Sequence, residues 1–148
     1  MADVNRGVST VVGYVLNVGV ATILITGLLF GATGLVSDQR ERAVRSELEV
    51  VGNRIASDLQ TADTLLRASD GGRVHVESSL PTHVAGQQYR IEIRSDGDGT
   101  TVVLRMSDPA VTVVVPVNTS VGVSETTLTG GPIVIEGSDT GPLEVKDG

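Results

Sequence analysis

The stretch GVSTVVGYVLNVGVATILITGLLFGATGLV, from Gly7 to Val36, decides the fold, because its thirty residues carry no formal charge. A helix of that length rises about 45 Å, against roughly 30 Å of bilayer hydrocarbon, so it spans a membrane with some turns left over. A buried core helix is the bland rival, but the rest of the chain is too short to wrap one this long. A cleaved secretory signal is the stronger rival. Against it stand the excess length, a basic start reduced to Arg6, and the lack of a small-x-small cut site at the distal end.

Working outward, Asp3 and Arg6 are the only charges before Asp38. The chain has 148 residues, a net charge of −7 and a mean hydropathy of +0.17. These averages join two unlike segments, one charge-free and one acidic. With no cysteine there is no disulfide framework, thiolate zinc site or cysteine nucleophile. Lys146 is the single lysine among eleven basic residues, against 18 Asp and Glu, a balance that opposes nucleic-acid binding through phosphate contacts. The acidic, arginine-over-lysine bias keeps a surface hydrated and resembles that of proteins from salt-loving archaea.

Within the apolar run, Gly13, Gly19, Gly27, Gly31 and Gly34 alternate with Thr22, Thr26 and Thr33, and Asn17 sits a few turns inside. Gly27 and Gly31 form a GxxxG pair, which lets helix backbones approach closely in lipid. Asn17 carries an amide that a partner helix would satisfy. These features suit helix-to-helix packing, although glycine and threonine are also ordinary in membrane spans.

Arg6-Gly7-Val8-Ser9-Thr10-Val11-Val12-Gly13, followed by a long apolar helix, resembles the N-terminus of archaeal type IV pilins and pilin-like proteins, haloarchaeal ones above all. Thr10 stands where the usual pattern has Pro, and Val12 where it has Ile. The resemblance covers about the first quarter of the chain. It implies processing by a membrane aspartyl peptidase of the prepilin type, with Arg6 and Gly7 ending a leader and the bond to Val8 cut. It also implies sister pilin-like subunits and a head outside the cell. Bacterial pilins carry a Glu at the fifth mature position, which here is Val12. The alternative is that Arg6 and Gly7 are the interfacial edge of an uncut span.

A literal count of flanking positive charge, Arg6 against Arg40, Arg42 and Arg45, would place the C-terminal side in the cytoplasm. Those arginines are interleaved with Asp38, Glu41, Glu47 and Glu49, and long domains translocate largely regardless of such charge. Asn118-Thr119-Ser120 is a glycosylation sequon, suited to an exported surface.

Beyond Ser37, Val44, Leu48, Val51, Ile55, Leu59, Ala62 and Leu66 recur at steps of three and four, with Arg42, Glu49, Arg54, Asp58 and Asp63 on the polar side. The spacing predicts a helix to about Ala68, continuous with the apolar run and stopped by Ser69-Asp70-Gly71-Gly72. Its stripe either packs on a sheet or pairs with other copies as a coiled coil, the first being the commoner use. From Arg73 the period changes to two. Strands are expected around Val74–Val76, Tyr89–Arg94, Val102–Met106, Val111–Val117, Val121–Ser124, Pro132–Glu136 and Leu143–Lys146, with a four-residue hairpin at Asp96-Gly97-Asp98-Gly99. Together they predict one antiparallel sheet of five to seven strands with a face on the helix.

The fold expected is therefore α+β: a leader at 1–7, a transmembrane or filament-core helix at 8–36, an amphipathic helix at 37–70 and a β-rich head at 73–148. Two isolated histidines, His75 and His83, and the Asp96/Asp98 turn make no metal or catalytic set, and no phosphate-binding loop or nucleophile elbow occurs. No cofactor is expected. The reading is a non-catalytic pilin-like subunit of a surface filament or pseudopilus, in contact with membrane lipid. The competing reading is a permanently anchored single-pass protein with an extracellular binding domain, and a weaker third is an assembly factor of a filament machine.

Overall fold

The computed structural model describes the backbone of residues 2–69, 71–97 and 99–148, and side chains from residue 11 onward except at 32, 33 and 35. One helix, α1 (Ala2–Ala68), is followed by seven strands: β1 (Arg73–Ser78), β2 (Arg90–Asp96), β3 (Gly99–Ser107), β4 (Ala110–Val117), β5 (Thr126–Thr129), β6 (Ile133–Ser138) and β7 (Glu144–Asp147). The arrangement is α+β. The chain divides into two compact units, Met1–Gln39 and Arg40–Gly148.

In the second unit the helical stripe goes into a core. Val44, Leu48, Ile55, Leu59 and Ala62 are fully buried, and Val51 and Leu66 nearly so. They share one cluster with Ile91 and Ile93 of β2, Leu104 of β3, Val113 of β4, and Ile133 and Ile135 of β6. So the stripe packs on strands of its own chain. Helix and sheet approach closely at Gly52, where a Cβ would stand 2.7 Å from Leu104 Cδ1 and 2.8 Å from Val115 Cγ2. The helix ends where Ser69 directs its N–H and its hydroxyl to the Leu66 carbonyl, at 3.2 and 2.8 Å. Gly71 then supplies a φ of +91°. Asp70, expected in that stop, lies outside the described residues.

The strands form two antiparallel sheets where the periodicity suggested one: β1-β6-β7 and β4-β3-β2-β5. After β5, Gly130, Gly131 and Pro132 turn the chain, and β6 returns to pair with β1 over Arg73↔Ser138 to Ser78↔Ile133. A Cβ at Gly130 would overlap the Tyr89 ring, so glycine is required where that turn crosses the aromatic side chain. The strand expected at Val121–Ser124 is absent; the strand lies at Thr126–Thr129 instead, and only Val123 makes a bridge, to Leu143. The reason is local. The N–H groups of Ser120 and Val121 are taken by the Asp63 carboxylate, which ties the start of this segment to the helix, and pairing with the Leu143 region is left to one parallel bridge, Ser124 N–H to the Leu143 carbonyl and Leu143 N–H to the Gly122 carbonyl, each at 2.8 Å.

Two turns also differ from the sequence pattern. The β2–β3 ladder continues to Asp96↔Gly99, so Asp96 and Gly99 pair as strand residues rather than forming part of a four-residue turn. Asp98 itself lies outside the described residues. Pro116 does not interrupt its strand, because β4 is an edge and alternate residues face solvent, where a missing N–H costs no ladder bond.

Candidate functional site

Over residues 11–31 the described surface of the first unit's helix is almost wholly apolar, on every side. Described residues 11–31, 34 and 36 are all exposed. Ile23, Leu28 and Phe30 each expose more than 70% of their surface. Fully burying one such side chain contributes about 1.5–3 kcal/mol, so leaving this whole set in water would cost on the order of 20 kcal/mol, more than a typical domain's stability. It requires an apolar surrounding. By length and composition the helix is able to cross a membrane, with a mean hydropathy of 2.1 over its most apolar window.

The polar atoms on this helix divide into two kinds. Thr22 and Thr26 donate their hydroxyls to the carbonyls of Val18 and Thr22, each at 2.8 Å, and need no further partner in lipid. The Asn17 amide makes no hydrogen bond among the described residues and is exposed. At about 100° per residue, Asn17, Gly27 and Gly31 fall within an arc of about 80°. Around Gly13, Gly27 and Gly31 nothing lies within 4 Å of where a Cβ would be, so nothing within the chain demands glycine there. The positions read as a processing site, Arg6, Gly7 and Val8, are helical in backbone, and their side chains lie outside the described ones.

The second unit carries polar anchors that periodicity assigned to solvent. Asp63 is 3% exposed. Its Oδ1 accepts the N–H groups of Ser120 and Val121 at 3.0 and 2.8 Å, and its Oδ2 lies 3.2 Å from Arg67 Nε. Asp58 Oδ2 accepts the Ser78 hydroxyl at 2.5 Å. One carboxylate thus holds the end of β1 and the other holds the segment after β4. The signal for Asp63 was present, since it follows Leu59 by four residues and precedes Leu66 by three, on the buried stripe itself. Tyr89 is also buried, and its hydroxyl donates to the Pro81 carbonyl at 2.7 Å. Burial, with the Glu47 charge adding, pushes its pKa up to about 12.

The remaining sequence candidates are dispersed. His75 is exposed on β1, 3.3 Å from Glu77 and 3.4 Å from Glu136. Lys146 pairs with Glu136 and Glu144, both at 2.9 Å, and its hydrogen bond and charge hold the Glu136 carboxyl below its ordinary range. His83 Nδ1 lies 3.0 Å from the Thr82 hydroxyl. No group of three His, Cys, Asp or Glu placed to hold a metal occurs among the described residues. Asn118 is exposed on the loop after β4, where it borders an open cleft with Gln60 and Thr100.

Residues 3–146 match the model of DUF7266, a family of unknown function. The chain belongs to the DUF7266 family. That match takes in the apolar helix as well as the β-rich unit, so in DUF7266 the two occur as one sequence pattern. No curated protein and no solved structure matches this DUF7266 chain.

Proposed function

We propose that this DUF7266 chain is a non-catalytic, pilin-like subunit: membrane-anchored by its N-terminal helix, with the β-rich head outside the cell, and assembled through that helix into a surface filament or pseudopilus. The observation that carries the reading is the exposed, apolar surface from Val11 to Phe30, on the same helix whose later turns hold the head's core. A lone lipid anchor has no need of open glycines at 13, 27 and 31 or of an amide at Asn17, whereas sister helices would pack on the first and pair with the second. The resemblance of residues 6–13 to archaeal pilins adds a processing site between Gly7 and Val8. In this reading Asn118, exposed on an exported head, is available for glycosylation, and the partners are membrane lipid, a prepilin-type peptidase and other pilin-like subunits.

The second reading, a permanently anchored single-pass protein with an extracellular binding head, is favoured by Val12, which leaves the fifth mature position without a carboxylate for assembly. Processing separates the two. Mass spectrometry of the chain isolated from its native membrane should give a mature N-terminus at Val8. An intact Met1 or Ala2 terminus in the membrane pool would overturn the pilin-like reading.

A further inference from the structure

The outward face of the four-stranded sheet holds a feature that strand alternation did not reveal. The register places Arg90 of β2 directly opposite Arg105 of β3, Thr129 of β5 opposite Arg90, and Thr112 of β4 opposite Arg105. One row thus runs across all four strands as Thr129–Arg90–Arg105–Thr112. Directly opposed residues have Cβ atoms about 5 Å apart, and like charges so placed destabilise a sheet. Arg105 shares Glu92 with Arg94, at 3.3 and 2.7 Å, while Arg90 has no ion pair or hydrogen bond among the described residues. At the free edge of β4, Arg45 donates to the Thr112 carbonyl at 3.4 Å and also pairs with Glu41.

Over this row lies a cleft of about 340 Å³ with no carboxylate in its lining, in a chain whose net charge is −7. Its remaining polar groups are the hydroxyls of Ser107, Thr112 and Thr129 and the amide of Gln88. Two guanidiniums at cross-strand spacing are able to hold one multi-oxygen anion, Arg90 through two parallel hydrogen bonds and Arg105 through the N–H groups that Glu92 leaves open. The flanking hydroxyls and amide both donate and accept, which matches sugar hydroxyls. The apolar members of the lining, Tyr89 and Met106, are themselves buried at 2% and 5% exposure, so the cleft offers no greasy floor for an acyl chain and no exposed ring for a nucleobase.

We propose that this row is a binding site for an acidic saccharide, with a carboxylate or sulfate group held between Arg90 and Arg105 and ring hydroxyls held by the threonines. The site does not depend on whether the chain assembles. The test titrates the full chain in detergent micelles at low ionic strength with four probes: a glucuronate-containing disaccharide, a sulfated disaccharide, a neutral disaccharide and inorganic sulfate. An acidic disaccharide binds, the neutral one does not, and inorganic sulfate binds more weakly than the sulfated sugar. R90Q and R105Q each weaken binding roughly tenfold, as expected for loss of a charge-assisted contact. R73Q, an exposed arginine of β1 on the three-stranded sheet, leaves binding unchanged. R105K keeps the charge, loses the fork, and is also weakened, which covers the case of a misfolded glutamine variant. Failure of both acidic disaccharides to bind, or equal binding by wild type and R90Q/R105Q, would overturn the site. Inorganic sulfate binding as tightly as the sulfated sugar would overturn the saccharide assignment.

Discussion

Residues 11–31 and residues 44–66 lie on the same helix and solve opposite problems. The earlier stretch is apolar all round and buries nothing within the chain, while the later one is apolar on a single stripe and buries nearly all of that stripe. The difference shows what helical periodicity reports. A stripe announces that the partner is a surface of limited width, here the two sheets, whereas apolarity without a stripe announces a surrounding medium.

The largest effects should separate these two stretches. Leu59→Ala removes a fully buried side chain from the head's core and should lower the head's unfolding free energy by about 2–5 kcal/mol, read by denaturant titration, with membrane retention unchanged. Leu24→Arg should do the reverse. It places a charge costing about 3 kcal/mol near the middle of a membrane span whose apolar surface is worth on the order of 20 kcal/mol, so it should lower the share of chain retained in the carbonate-washed membrane fraction without abolishing it, while the head's denaturation midpoint stays put. If Leu24→Arg instead unfolds the head, the contrast between the two stretches is lost.

A smaller effect lies at Asp63. Replacing it with Ala strands the N–H groups of Ser120 and Val121 and should cost about 2–3 kcal/mol, with Asp63→Asn recovering part because its amide oxygen still accepts. Amide hydrogen exchange at Ser120 and Val121 checks that the loss is local. The smallest effect concerns pH. Lys146 holds the folded Glu136 carboxyl below its ordinary 4.5, so their pairing stabilises the head above that value and the contribution is lost as pH falls through the folded value. Lys146→Met should therefore be slightly less stable than wild type at pH 6, with the gap closing as pH falls below the folded value. Both groups are exposed, so screening keeps the difference small.

Much of the second unit was legible in the sequence. All seven stripe residues from Val44 to Leu66 are buried, and the alternation at Ile91 and Ile93 and at Val102, Leu104 and Met106 marks inward faces. What was not legible depends on pairing. Nothing in a period of two says that β6 returns to β1, or that Arg90 meets Arg105, because register joins residues that only the turns bring together. Val121–Ser124 looked like a strand because its apolar residues alternate, yet the Asp63 carboxylate takes the Val121 N–H and only a single bridge, at Val123, forms. The N-terminal helix reads from the sequence alone, while the company it keeps does not, since other molecules supply it.

The chain has no cysteine, so single cysteines placed along α1 report their surroundings against a clean background. In intact cells treated with a membrane-impermeant maleimide, Leu16→Cys, Leu24→Cys and Leu28→Cys should stay unlabelled until the membrane is dissolved, while Val50→Cys, on the exposed side of the later stretch, should label at once. Labelling of position 24 in intact cells, or labelling of position 50 only after lysis, would contradict the proposed placement of the helix, in the membrane at its start and outside the cell at its end.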